Sequence, residues 1–322
     1  NTTKKTVALL RDVMKLYGAP EDLFITIEAP LVPLTEELMK QCDLVIATGG
    51  QPMVRAAYSS GTPSYGVGAG NAIIYIDSSA NLEDAAKKIM ASKTFDLAAG
   101  CSCDNSIVID HAVYNELLLE LNKVGGHLLK ISEKETLQKA IWPSWPLDHV
   151  INRDIVASPI SNIARIASLS IPEHTKVLLV EEDKTGEVTP FSGEKMSLVT
   201  AVYRSQNVDD AIRIINENHA YSGAGHSCGV FAQSEEVIEK VAISTYTTRV
   251  VVNQSQAATN TGSWTSGMPF TSSLGCGTWG GNIVSENISL KHYINNTWVI
   301  KEIPYYKPTD EELFDGFTPI LS

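Results

Sequence analysis

The chain has 322 residues, 43% of them hydrophobic and 19% charged, with a net charge of -12. That is ordinary globular composition, long enough for about two domains of ~150 residues, and its acidic surface repels nucleic acid and anionic lipid, so neither is expected as a partner. The cysteine count of five is odd and sparse, which does not make a disulfide framework and suits a reducing cytoplasm; nothing reads as a signal peptide or an 18-residue apolar span, so no membrane partner is expected either.

The chain opens at Asn1 directly before an amphipathic helical pattern over residues 4–17, and a segment upstream of it is expected. That helix stops at Gly18 and Pro20. Residues 23–27 read as a short strand, 34–40 as a helix and 44–47 as a buried strand. Thr48-Gly49-Gly50 follows, then a helix through about Ser59 and a strand over 64–67. Such alternation with short links predicts a parallel sheet covered on both faces. The next region repeats the pattern with strand 73–76, helix 81–92, strand 106–109 and helix 112–124. Residues 135–158 read as irregular. Helix 159–169, strand 176–180, strand 198–203, helix 208–218, strand 228–231, helix 235–244 and strand 249–252 complete a second α/β unit. Residues 254–282 are rich in Gly, Ser, Thr and Asn, a long loop that points to function. A polar tail follows Pro308.

Several of these links carry residues suited to chemistry. A glycine turn such as Thr48-Gly49-Gly50, between a buried strand and a helix, can offer backbone N–H groups to a phosphate, although any α/β fold uses tight turns there. Gly66-Val67-Gly68-Ala69-Gly70-Asn71 lets another backbone or a ligand approach closely. Cys101, after Leu97-Ala98-Ala99-Gly100, sits where a loop can present a thiol; a lone Cys is more often an inert core residue. Cys101 and Cys103 are too close for a CxxC redox pair, and no His or Cys cluster supplies a metal site. Glu194, His226 and the Leu274–Asn282 stretch have equally plain structural readings when taken singly.

Taken together, in this order and spacing, the motifs resemble the aldehyde dehydrogenase superfamily, specifically its CoA-acylating branch. The matching text is Ala47-Thr48-Gly49-Gly50, Arg55 to Gly61, Gly66 to Asn71, Ser92-Lys93-Thr94-Phe95-Asp96 leading to Cys101, Glu194-Lys195-Met196-Ser197, Gly225-His226, and Leu274 through Asn282 followed by Ser285-Glu286-Asn287. The resemblance implies an α/β fold of two Rossmann-like parallel-sheet domains, with the cofactor domain incomplete at the N-terminus. It implies domains at 1–71 (the C-terminal part of the NAD(P)-binding domain), 72–285 (the thiol-bearing catalytic domain) and 286–322 (a C-terminal segment suited to oligomerisation). Cys101 falls on the family nucleophile, and Thr48, Gly49, Gly50 and Gly68 fall on the segments facing the dinucleotide. Glu194 falls on the acid that binds the nicotinamide ribose, and His226 on a histidine of the acylating branch. The sequence departs from the family's pattern at Leu198, where relatives carry Pro, and in the segment before Cys101, Leu97-Ala98-Ala99-Gly100, where relatives usually carry Asn-Gly or Asn-Ala. The family's oxyanion Asn and its adenosine-ribose clasp fall upstream of Asn1.

Simple aldehyde dehydrogenases carry a Glu in the stretch matching Gly66 to Asn71, where it activates water; here that stretch holds no acid. Water, with a pKa near ~15.7, needs a base at neutral pH, whereas a thiol near ~8.5 is already partly ionised. The resemblance therefore implies oxidation of a small aldehyde, such as acetaldehyde, succinate semialdehyde or sulfoacetaldehyde, to its acyl-CoA. NAD or NADP is the implied cofactor, CoA the cosubstrate, and the implied assembly a homodimer or homotetramer. A hydrolytic aldehyde dehydrogenase, a γ-glutamyl phosphate reductase-like enzyme and a non-catalytic scaffold subunit of this fold are the competing readings. Arg249, Gln254, Ser255, Trp264, Met268 and Phe270 are the expected lining of the aldehyde pocket, with Arg249 suited to an anionic tail.

Overall fold

A computed structural model describes residues 2–29 and 31–316. These divide into one compact unit reaching Ser289 and a second beginning at Leu290.

In the first unit, α1 (Thr2–Leu16) and α2 (Val32–Gln41) precede β1 (Val45–Thr48), and α3 (Gln51–Ser59) crosses over to β2 (Ser64–Val67). The two strands pair in parallel, with Val45 opposite Ser64. Met39, Val45, Ala47 and Ala57 make the small core beneath them. The strand expected at 23–27 does not form. Glu21–Leu23 is a short 3-10 turn, and the chain after it meets α1 through Arg11 Nε, which donates to the Phe24 carbonyl at 2.9 Å. Leu23 and Ile25 are exposed, and among the described residues no strand lies alongside to complete a ladder, so β-propensity alone leaves this segment unpaired.

A seven-stranded sheet follows. Its elements are β3 (Ile73–Ile76), α4 (Leu82–Thr94), β4 (Ser106–Asp110), α5 (Tyr114–Lys123), β5 (Gly126–Leu128), α6 (Ile131–Ile141), α7 (Ile160–Ile166), β6 (Val177–Glu181), β7 (Val199–Ser205), α8 (Val208–Tyr221), β8 (Cys228–Phe231), α9 (Glu235–Ser244), β9 (Val250–Val252) and α10 (Gln256–Asn260). The order is β5-β6-β7-β4-β3-β8-β9, parallel throughout. The late strands flank the early ones, β7 beside β4 and β8 beside β3, so residues 73–252 share one sheet. Every residue of β3 is buried, because side chains alternate between two covered faces. Ile73 and Tyr75 enter one core, Ile74 and Ile76 the other.

Helix starts follow local chemistry: Asn81 and Asn207 accept the Asp84 and Asp210 N–H groups at 3.1 and 3.0 Å. Helix α6 intrudes on the stretch expected to be irregular. It lacks a Ser, Thr, Asn or Asp at its start, and Glu133 instead reaches back to accept the Lys130 N–H at 2.8 Å while Leu137 and Ile141 are buried.

The second unit holds a 3-10 turn at Leu290–His292 and α11 (Asp310–Phe314), with Thr309 and Glu312 capping reciprocally. Residues 317–322 of the expected C-terminal segment lie outside the described residues.

Candidate active site

In the seven-stranded sheet the chemistry-bearing residues all precede strands. Asn71 leads into β3, Cys101 into β4, Glu194 into β7, His226 into β8 and Arg249 into β9. They meet at the N-terminal edge of that sheet. Thr48 instead ends β1, Gly49 and Gly50 follow it, and Gly68 follows β2, at the C-terminal edge of the two-stranded sheet. The glycine-rich 273–282 segment ties the two edges together. Asn282 Oδ1 accepts the Gly68 N–H at 3.2 Å and the Cys276 N–H at 3.1 Å, Gln51 Nε2 donates to the Gly280 carbonyl at 3.4 Å, and the Thr48 and Ser273 hydroxyls share a hydrogen bond at 2.9 Å.

The nucleophile loop joins α4 to β4. Asp96, Leu97 and Ala98 have φ of 45°, 53° and 61°, left-handed backbone that costs non-glycine residues roughly 1–2 kcal/mol each. Packing beyond the loop holds them there. The Cys103 N–H donates to Gly100 O at 3.1 Å, the Asn105 N–H to Ala72 O at 2.7 Å, and Gln256 Nε2 to Asp104 Oδ1 at 2.6 Å. Asn105 in turn is gripped by Lys195, whose N–H meets its Oδ1 at 3.1 Å and whose Nζ meets its carbonyl at 2.9 Å. Gly70 backs the loop closely: a Cβ there would stand 2.6 Å from Cys101 Cβ. At Leu97, half-exposed and left-handed, asparagine tolerates the backbone better. Leu97→Asn is expected to stabilise the fold by ~0.5–1 kcal/mol, read as a rise of about 2 °C in Tm by calorimetry; an unchanged or lower Tm would show that the leucine's packing outweighs its strain.

Cys101 is partly exposed, and its Sγ lies 3.2 Å from His226 Nε2. His226 is fully buried, and its Nδ1 faces Ser227 Oγ at 2.9 Å. Asn260 Nδ2 donates to the same hydroxyl at 3.0 Å, which leaves the Ser227 proton available to Nδ1. In the tautomer with the imidazole hydrogen on Nε2, Ser227 donates to Nδ1 and Nε2 donates to the sulfur. Burial first, then Arg249 and His219, press the His226 pKa down to about 3. The imidazole is therefore a neutral hydrogen-bond donor to sulfur and a poor proton acceptor. Burial pushes the Cys101 thiol up, Glu194 adds to this, and Arg249 opposes it. Glu194, only partly covered, is raised to about 7 by desolvation against the pull of Lys93 and Lys195.

Arg249 is buried and committed to the protein. Its Nη1 donates to the His226 and Gly275 carbonyls at 3.2 and 2.9 Å and to Thr248 Oγ1 at 2.8 Å; its Nε donates to Asn287 Oδ1 at 3.0 Å. A cavity of about 350 Å³ is lined by Arg249, Gln254, Thr259, Asn260, Ser266 and Met268 among others. Trp264 and Phe270 form an edge-to-face pair with ring centres 5.4 Å apart, and both are exposed. The structure thus brings together Cys101, His226, Glu194 and Arg249, ties in Gly68 and Thr48 through the 273–282 segment, and leaves Trp264 and Phe270 facing solvent. Ser227, Asn260, Asp104, Gln256 and Asn105 escaped the sequence reading because only the fold makes them neighbours. Among the described residues no group of three or more His, Cys, Asp or Glu is placed to hold a metal, and no helix is long and apolar enough to cross a membrane.

No family model matches the chain. It is 44% identical over 317 residues to the sulfoacetaldehyde dehydrogenase of Acholeplasma sp, an alignment covering 98% of this chain and 65% of that protein. To the sulfoacetaldehyde dehydrogenase (acylating) of Bilophila wadsworthia it is 40% identical over 317 residues, covering 98% and 68%. The solved structure of an acetylating aldehyde dehydrogenase from Geobacillus thermoglucosidasius matches with a TM-score of 0.87 at 33% identity, over 94% of this chain and 67% of that one. The chain spans about two thirds of the length of these relatives.

Proposed function

The chain belongs to the acylating aldehyde dehydrogenases, and on that premise we propose that it is the thiol-bearing part of an enzyme that oxidises a small aldehyde to its acyl-CoA with NAD or NADP. The observation that carries the acylating reading is the stretch from Gly66 to Asn71, which is free of acids and whose Gly70 lies against Cys101. Water reaching a thioester on Cys101 meets no base from that stretch, whereas the thiol of CoA ionises without one. The names of the two curated relatives favour sulfoacetaldehyde among the candidate aldehydes. The proposal includes a homo-oligomer in a reducing cytoplasm, where the five free thiols remain reduced.

Thr48, Gly49, Gly50, Gly68 and Glu194 fit the dinucleotide. Gly50 precedes helix α3 and offers it no side-chain cap, and a Cβ on Gly49 or Gly50 would meet nothing nearer than 3.6 Å, so a phosphate can approach the uncapped backbone. When bound, the dinucleotide supplies the two-electron acceptor. The protein's own part begins with the Cys101 sulfur, whose electron pair forms the bond to the carbonyl carbon while the carbonyl π pair moves to oxygen. The Nε2 hydrogen of His226 steadies the thiolate before attack and again when it is released. In the acyl transfer, the CoA sulfur bonds to the acyl carbon as the Cys101 sulfur leaves with its pair. One thioester replaces another, so the exchange is nearly isoenergetic and runs in both directions.

The test is intact-protein and peptide mass spectrometry after incubation with aldehyde and NAD, without CoA. The expected result is an acyl adduct on Cys101 that CoA discharges as acyl-CoA. Free acid released at full rate without CoA would make the enzyme hydrolytic, and an adduct confined to another cysteine would remove Cys101 from the mechanism.

A further inference from the structure

Arg249 is the least explained charge near the site. Its guanidinium is buried, its Nη2 has no partner among the described residues, and every oxygen there that its other nitrogens meet is neutral. A cation removed from water and given only neutral partners is costly unless negative charge arises nearby. Burial holds the guanidinium below its usual range, and the thiols of Cys276 and Cys101 pull it the other way. Cys276 is fully buried and donates to the Leu274 carbonyl at 3.5 Å, whereas Cys101 is partly open and has to shed its proton to react.

We propose that Arg249 is a positioning residue for Cys101: it holds His226 against the sulfur and supplies the buried positive charge that the thiolate form requires. The proposal rests on the acyl-transfer reading above. Its geometric half is the clamp on the His226 carbonyl, which fixes the backbone from which Nε2 reaches the sulfur. Its electrostatic half follows from the other groups that face Cys101. These are Glu194 from the segment before β7, His226 before β8, Cys276 from the 273–282 segment and Cys103 from its own loop. Glu194 disfavours the thiolate and neutral His226 carries no charge, so Arg249 is the cation of this set. When Cys101 ionises, the S–H electron pair stays on sulfur and the proton passes to bulk water on the open side of the residue. His226, held neutral by its surroundings, does not take that proton.

The test is the pH profile of Cys101 alkylation by iodoacetamide, read by peptide mass spectrometry so that exposed Cys42 does not interfere. Arg249→Gln keeps polar contacts and loses the charge, whereas Arg249→Lys keeps the charge and loses the fork. Arg249→Gln is expected to move the profile up by about one pH unit, making alkylation at pH 7.5 about tenfold slower. Arg249→Lys, which keeps the charge and loses the clamp on the His226 carbonyl, is expected to fall between the parent and the Gln variant. A Gln variant that overlays the parent, or a Lys variant displaced as far as the Gln variant, overturns the proposal. Should Arg249→Gln fail to fold by circular dichroism, Asn287→Asp sets a carboxylate against Nε and offsets the charge with Arg249 in place, at the cost of the bonds that Asn287 Nδ2 makes to the Asn260 and Pro269 carbonyls. It is expected to give the same upward displacement, and an unmoved profile overturns the proposal. Iodoacetamide is neutral and needs neither dinucleotide nor CoA. A charge effect is thereby separated from recognition of an anionic aldehyde, and a negative result leaves the acyl-transfer reading to its own adduct test.

Discussion

Cys101→Ser is expected to lower CoA-dependent NADH formation by ~10³-fold or more while leaving the fold intact, as read by initial rates beside thermal melting. Oxygen replaces sulfur in a side chain of nearly the same shape, and His226 Nε2 can still donate to it from the position 3.2 Å away. What changes is the chemistry of the atom. A serine hydroxyl ionises far above the thiol, and the neutral His226 beside it does not serve as a base strong enough to compensate. The ester that a serine would form also resists a thiol acceptor more than a thioester does, so the second half of the cycle suffers with the first. A variant retaining more than about a tenth of the parent rate would mean that another group carries the acyl chain. Cys103, two residues away and buried, would be the first to examine.

Apart from β5, the strands of both sheets were legible because each is a short apolar run bounded by glycine or polar residues; β5, three residues reading Gly126-His127-Leu128, is too short and too polar to announce itself. β2, β3 and β8 fall on their expected residues, and β4 gains one. The segment at 23–27 misled because β-propensity does not say whether a neighbour exists. Helix α6 was missed because its cap is a carboxylate three residues inside the helix and not a side chain at the boundary. At the site, Cys101, His226 and Glu194 were reached through the family resemblance, and the structure adds the reason that they meet: each lies just ahead of a strand of one parallel sheet. A reader guided by the usual placement of ligands at the C-terminal ends of such strands would have looked at the opposite edge. The supporting pairs, Asn260 with Ser227 and Gln256 with Asp104, are separated by 33 and 152 residues, and no local pattern links them. Leu97 and Ala98 are the reverse case, a departure visible in the sequence whose left-handed backbone only coordinates reveal.

Gly225→Ala is expected to be the most damaging small substitution near the site, destabilising the fold by ~3–5 kcal/mol and lowering Tm by about 10 °C. Gly225 has φ of 82°, and a Cβ on it would land on the Cys276 carbonyl oxygen and stand 2.9 Å from both the Cys276 carbon and the Gly280 nitrogen. All of these are backbone atoms, so no rotamer change relieves the clash. Nor can Gly225 retreat: its N–H donates to Tyr246 O at 2.9 Å, and its carbonyl accepts from Thr248 N–H at 3.1 Å and Thr248 Oγ1 at 2.8 Å. The strain therefore passes to the next residue, His226, and the 3.2 Å approach to Cys101 opens; displacement on the order of 1 Å at a reacting group costs roughly 10²-fold in rate. Gly281→Ala is the matched control, because Gly281 is also left-handed at φ 69° but has open space where the Cβ would go. It should cost only the ~1–2 kcal/mol of the backbone itself. Calorimetry on the two variants separates the terms: a Gly225 variant no worse than the Gly281 variant would mean that the Cys276 backbone yields, and that the contact does not hold His226 in place.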